Sequence, residues 1–191
     1  MWRDSRVGAD WNGWILWRRD QAAVADSHNL LFKLYVSPDP QELIDRLDSI
    51  MQALSSTDAR AVKLGGTVYG LLRPDKLVVY FVDYDSLLSA ARVLEANIAR
   101  MSTHGVPFTA GLTVDGLLSW GVDPPTQGDE QLDDRESWRG RLTRILANGL
   151  VRARSECGSV EEELRYALGE LESAGVDPET FTPCRVDHAG N

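Results

Sequence analysis

Residues 30–42, LLFKLYVSPDPQE, make a strand and a helix meet across a very short link. Leu30, Leu31, Phe32, Leu34 and Val36 are strand formers, and Pro38 and Pro40 end the run. Asp39 then predicts a helix N-cap, with Pro40 at the first helical position and Glu42 completing a capping box. Leu43, Ile44, Leu47, Ile50, Met51 and Leu54 recur at helical spacing, so one face of that helix is expected to be buried. Lys33 and Tyr35 stand at alternate strand positions and point to the same face. A lysine on an apolar face costs free energy unless it reaches water or an anionic partner, protein or ligand.

The flanking sequence predicts more strands than helices in the first two thirds of the chain. DWNGWILW places Asn12-Gly13 between apolar flanks, a hairpin signature, with strands near 6–11 and 14–19. ARAVKLGG reads as a short strand. TVYGLL and KLVVYFV read as a hairpin around Pro74-Asp75, which sets Arg73 against Lys76, Leu71 against Val78 and Tyr69 against Tyr80, with its end projecting into solvent. Leu87, Leu88, Ala91, Leu94 and Ile98 mark a second helix over 85–101, and VPFTAGL with GLLSW a further strand pair. GVDPPTQGDEQLDD is a Pro/Gly/Asp-rich loop. Two helices follow, over 135–154 and 160–174, the second capped by Ser159 with Glu162 and ending at Gly175. The expected fold class is α+β, a largely antiparallel sheet with helices packed on it. One domain over 1–175 and a C-terminal tail over 176–191 are expected.

Composition narrows the function. Hydrophobic and charged fractions of 43% and 26% are those of an ordinary globular protein. No apolar run approaches the ~20 residues of a membrane helix, and MWRDSRVGADWNG lacks a signal-peptide layout, so a cytoplasmic protein is expected. Cys157 and Cys184 match no metal or redox spacing. A net charge of −9 argues against broad nucleic-acid binding. Within that acidic background lie two basic islands, Arg60, Lys63, Arg73 and Lys76, and the arginines between 135 and 154, a pattern suited to a local anion site. Lys63 shares a strand face with Ala61, so Lys33, Lys63 and Arg73 each place a cation in a segment otherwise built for burial. If those segments are neighbours the cations converge, and phosphate is the natural ligand. On the helix over 135–154, Trp138, Leu142, Ile145, Leu146 and Gly149 define the core side. Arg135 and Arg139 project beside it, while Arg144 faces away.

The ordered set FKLYVS, AVKLG and LLRPDKLVVYF resembles the phosphothreonine lyases secreted as bacterial effectors. With GVPFTAGL, DGLLSWGVDPP and SWRGRLTR, it resembles still more their HopA-type relatives from lanthipeptide and thioamitide biosynthesis. The resemblance covers roughly residues 30 to 155. It implies phosphate binding by Lys33 and Arg73, a base at Lys63 and a tyrosine near the reaction centre at Tyr80. Where the effector pattern has a histidine acid this chain has Tyr35, leaving Tyr35, His28, His104 or no acid at all; His188, in the tail, is discounted.

The implied reaction is β-elimination of phosphate from phosphoserine or phosphothreonine of a precursor peptide. A separate kinase would supply the phosphate, and no metal or organic cofactor is needed. Its base must be a neutral lysine, whose ordinary pKa of about 10.4 neighbouring cations and partial burial would lower. The rival is a catalytically inactive module of the same fold that binds phosphopeptides or scaffolds a kinase. The missing histidine favours that rival; Lys63 and Arg73 together favour the enzyme.

Overall fold

The structure is a computed structural model and describes residues 2–4, 13–19, 31–98, 100–123 and 136–184. Its strands are β1 (Trp2–Asp4), β2 (Trp14–Arg19), β3 (Leu31–Val36), β4 (Ala61–Gly65), β5 (Leu77–Phe81), β6 (Ala110–Gly111) and β7 (Leu118–Asp123). They form a seven-stranded sheet in the order β1-β2-β4-β5-β3-β7-β6, and every pairing is antiparallel. The helices are α1 (Pro40–Ser55), α2 (Val68–Leu71), α3 (Tyr84–Ile98), α4 (Trp138–Ala153) and α5 (Val160–Ser173). The α+β class and the antiparallel sheet are as the sequence led us to expect. The expected strand at 6–11, residue Asn12 of the turn, His28, Arg135, most of the Pro/Gly/Asp-rich loop and His188 lie outside the described residues.

Strand alternation divides the sheet chemically. On one face Phe32, Leu34, Val36, Val62, Leu64, Leu77, Val79 and Phe81 join Leu43, Ile50 and Leu54 of α1 and Leu87, Leu94 and Ile98 of α3 in a continuous core. At about 25 cal/mol per Å² of apolar surface removed from water, this layer is the main source of stability. Asp39 caps α1 by accepting from the Gln41 amide at 2.9 Å. Glu42 does not close a capping box. It accepts instead from the amide and hydroxyl of Ser102 at 2.8 and 3.0 Å, while the Asp39 amide bonds the Ser102 carbonyl. Ile44, expected on the buried stripe, is half exposed.

The expected hairpin at Pro74-Asp75 is not there. TVYGLL forms α2, capped by Thr67, whose side chain accepts from the Gly70 amide at 3.1 Å. Two glycines permit this: a Cβ on Gly65 would stand 2.4 Å from the Gly70 carbonyl carbon. The helix therefore folds back onto the end of β4, and β5 pairs with β4 and β3 instead. Tyr69 is exposed rather than opposite Tyr80, and Lys76, expected in solvent, is wholly buried.

VPFTAGL is a strand only at Ala110–Gly111. Ser137 caps α4, and Ser159 caps α5 by accepting from the Glu162 amide at 3.3 Å. Beyond α5, Gly175 takes a positive φ of 77°, and Val176 is buried and bridged to Pro183. The described part of the expected tail is thus packed: the Phe181 carbonyl accepts from the Trp138 indole at 3.1 Å, and its ring stacks edge-on against Phe108. Cys157 and Cys184 are both free thiols. Among the described residues no helix is long and apolar enough to cross a membrane.

Candidate functional site

The second face of the sheet carries the polar residues, and register sets them in two rows. One row runs Leu16, Lys63, Val78, Tyr35, Ser119 across β2, β4, β5, β3 and β7. The next runs Arg18, Ala61, Tyr80, Lys33, Gly121. Lys63 and Lys33 are therefore separated by β5, and Tyr80 lies directly beside Lys33. Gly121 leaves room for Trp138, since a Cβ there would lie 2.8 Å from the indole Cδ1. That close approach lays the first turn of α4 along the polar face.

A cavity of about 390 Å³ results, lined by Trp14, Lys33, Tyr35, Lys63, Arg73, Asp75, Val78, Tyr80, Ser137, Arg139, Gly140 and Thr143. Of the residues singled out from the sequence, Lys33, Tyr35, Lys63, Arg73, Tyr80 and Arg139 are among them, and His104 is not. Arg73 arrives by a different route from the expected one, out of the turn after α2 rather than from a strand. Its guanidinium and the Lys63 ammonium both approach the Trp14 ring, at 5.3 and 4.5 Å from the centroid. Arg144 faces away and binds Glu136 in solvent at 2.6 and 2.8 Å.

Two carboxylates to which the sequence assigned no role in the site organise these cations. Asp75 accepts a bidentate pair from Arg73 at 2.9 and 3.0 Å and an ion pair from Arg139 at 2.7 Å. Burial alone would raise the Asp75 pKa, but the Arg73 hydrogen bonds and the charges of Arg139 and Arg73 leave it below the usual value. Arg139 also donates to the Pro107 carbonyl at 3.0 Å. Asp123, at the end of β7, pairs with Lys33 and accepts from the Trp138 amide at 2.9 Å. Both members of that pair are buried. The only sequence cues were an aspartate two residues after Arg73 and one ending a strand before two prolines.

Burial, helped by the negative field of Asp123, raises the pKa values of both Tyr35 and Tyr80. Both phenols stay protonated at neutral pH and can donate hydrogen bonds. The Lys33 ammonium lies 5.5 Å from the Tyr80 ring centroid.

His104 does not line this cavity. It lines a neighbouring one, and its Nδ1 lies 3.2 Å from the ammonium of Lys76, which donates to the Pro38 carbonyl at 2.9 Å. Burial lowers the Lys76 pKa to about 8 against the opposing fields of Asp39 and Asp75. The folded value is depressed, so between about pH 8 and the ordinary lysine value the unfolded chain binds more protons and stability rises with pH. Urea unfolding should show wild type gaining about 1.5 kcal/mol relative to Lys76→Met between about pH 8 and about pH 9.5. Parallel pH profiles for the two proteins would contradict this.

No protein-family model matches the chain, and no curated protein matches it in sequence. Solved structures do match. The effector protein from Pseudomonas syringae pv. tomato strain DC3000 aligns at 13% identity and TM-score 0.52, over 90% of this chain and 75% of that one. The effector protein from Pseudomonas syringae pv. syringae strain 61 aligns at 13% identity and TM-score 0.53, over 90% of this chain and 64% of that one. The type III effector/phosphothreonine lyase OspF from Shigella flexneri aligns at 16% identity and TM-score 0.40, over 60% of this chain and 67% of that one. The chain has the fold of the two Pseudomonas effector proteins.

Proposed function

We propose that this protein is a phosphopeptide lyase that eliminates phosphate from phosphoserine or phosphothreonine, leaving dehydroalanine or dehydrobutyrine. The observation that carries the reading is the convergence of Arg73 and Arg139 on one carboxylate inside a cavity that Lys33 and Lys63 also line. Asp75 stands where an oxyanion is held by two guanidiniums, the geometry that suits a phosphoryl group. Arg73 and Arg139 meet Asp75 and Lys33 meets Asp123, so basic side chains of the cavity already hold carboxylates. A phosphomonoester carries about −1.5 to −2 near neutral pH and is an anion of the kind such groups bind.

In this reading Lys63 Nζ takes the Cα proton and the C–H electron pair becomes the Cα=Cβ bond. The Cβ–O bond breaks, and phosphate leaves with both electrons against Lys33, Arg73 and Arg139. The Tyr35 hydroxyl, with Tyr80 beside Lys33, donates to the departing oxygen. Placing fixed cations where the leaving charge develops is the main catalytic device. The substrate must arrive phosphorylated, so a separate Ser/Thr kinase acts before this protein. The resemblance to HopA-type relatives supports a ribosomally made precursor peptide as substrate.

The phosphate pocket is tested by binding of a phosphothreonine peptide. Arg139→Ala removes a largely covered guanidinium and should weaken affinity by roughly 1.5–3 kcal/mol, the value of a charged hydrogen bond. Arg73→Ala, half exposed, should cost less, about tenfold in Kd or 1.4 kcal/mol. Arg144→Ala should leave Kd unchanged. An Arg144 effect equal to that of Arg139 would contradict the assignment.

A further inference from the structure

The neighbouring cavity is about 430 Å³, and its walls are Pro74, His104, Gly105, Val106, Pro107, Thr109, Gly111, Gly116 and Ser119. We propose that it is a second subsite, which takes an uncharged, partly apolar residue of the peptide within two positions of the phosphorylated one. This rests on the phosphopeptide reading above. Three observations carry it.

The two cavities adjoin. Tyr35, in the first, is the direct cross-strand partner of Ser119, in the second. Such partners stand ~5 Å apart, while an extended peptide advances ~3.3 Å per residue. Arg139 bonds the Pro107 carbonyl on the shared wall, and Pro74 sits between Arg73 and Asp75.

The walls are held in place. The Ser37 hydroxyl is within hydrogen-bond distance of the Pro74 and Gly105 carbonyls, at 2.7 and 3.3 Å. Thr109 Oγ1 is 2.6 Å from the Val106 carbonyl and 2.8 Å from Ser119 Oγ. A site already shaped loses little ordering entropy on binding.

The lining selects by charge. The rings of Pro74 and Pro107 with Val106 supply apolar surface, and among the described residues no carboxylate lines the cavity. The Lys76 ammonium has only donors to offer, so His104 Nδ1 accepts from it and Nε2 carries the ring proton as a donor. A basic side chain would meet a buried ammonium behind His104 and, among the described lining residues, no carboxylate.

The test compares five ligands: N-acetyl-phosphothreonine amide, that unit extended by two leucines on its N-terminal side, the same on its C-terminal side, and each of these two extensions remade with lysines. One leucine extension should tighten binding about tenfold or more over the minimal ligand, as a buried apolar side chain would. The lysine version should lose that gain. Gly111→Leu plugs the cavity: residue 111 pairs with Ser119, so its side chain stands on the same face, and a Cβ there meets only the Thr113 carbonyl at 3.7 Å. This variant should bind the minimal ligand as wild type does and lose the leucine gain. No gain from either extension, a lysine extension that binds as tightly, or a gain that survives Gly111→Leu would overturn the subsite. Failure of the minimal ligand itself to bind would instead overturn the phosphate pocket.

Discussion

Lys63→Arg should bind a phosphothreonine peptide within a few-fold of wild type and turn it over at a rate lower by roughly 10²–10⁴, the usual contribution of a general base. The substitution keeps the positive charge beside Trp14, so ground-state attraction of the phosphate survives. Arginine stays protonated at any working pH and cannot accept the Cα proton. Lys63→Ala should lose turnover to the same degree while retaining much of its binding through Lys33, Arg73 and Arg139. Single-turnover rates with Kd measured in parallel separate the two effects. A Lys63→Arg protein with a near wild-type rate would remove Lys63 from the role of base.

The second large effect concerns stability. Asp123→Ala should destabilise the fold by roughly 3–5 kcal/mol, because it leaves the buried Lys33 ammonium without its partner. It also releases the Trp138 amide at the start of α4. Against a total stability of about 5–15 kcal/mol for a domain, that is a large fraction. Asp123→Asn keeps an acceptor for the amide and should cost less. Replacing both partners, Lys33→Met with Asp123→Leu, should be milder than the sum of the single changes, since neither charge is then stranded. Urea midpoints for wild type, Lys33→Met, Asp123→Leu and the double variant give the coupling; additive losses would show that the pair does not act as a unit.

The sequence made part of this arrangement legible for a simple reason. In strands, parity fixes the face, so Lys33 and Tyr35 could be placed together, and Lys63 opposite Val62 and Leu64, without knowing the strand order. Helical projection separated Arg139 from Arg144 by the same logic. The turn at 66–76 was not legible. Val68, Tyr69 and Leu71 are good strand formers, and the Thr67 cap with the close packing of Gly65 on Gly70 sets them in a helix. Asp75 and Asp123 escaped for a related reason. Each looks like a turn or loop acid, and its value comes from a partner set by tertiary folding: Arg139 for Asp75, Lys33 and the Trp138 amide for Asp123. Lys76 was misplaced because the hairpin expected there would have carried it into solvent, whereas β4–β5 pairing buries it.

The chemistry performed in the cation-lined cavity is read out by the masses of its products. A peptide carrying phosphothreonine, incubated with the purified protein, should lose the elements of phosphoric acid and acquire a dehydrobutyrine that adds a thiol, with inorganic phosphate released in equal amount. A phosphopeptide that binds yet keeps its mass, or one that returns as the unmodified threonine peptide by hydrolysis, would contradict the account.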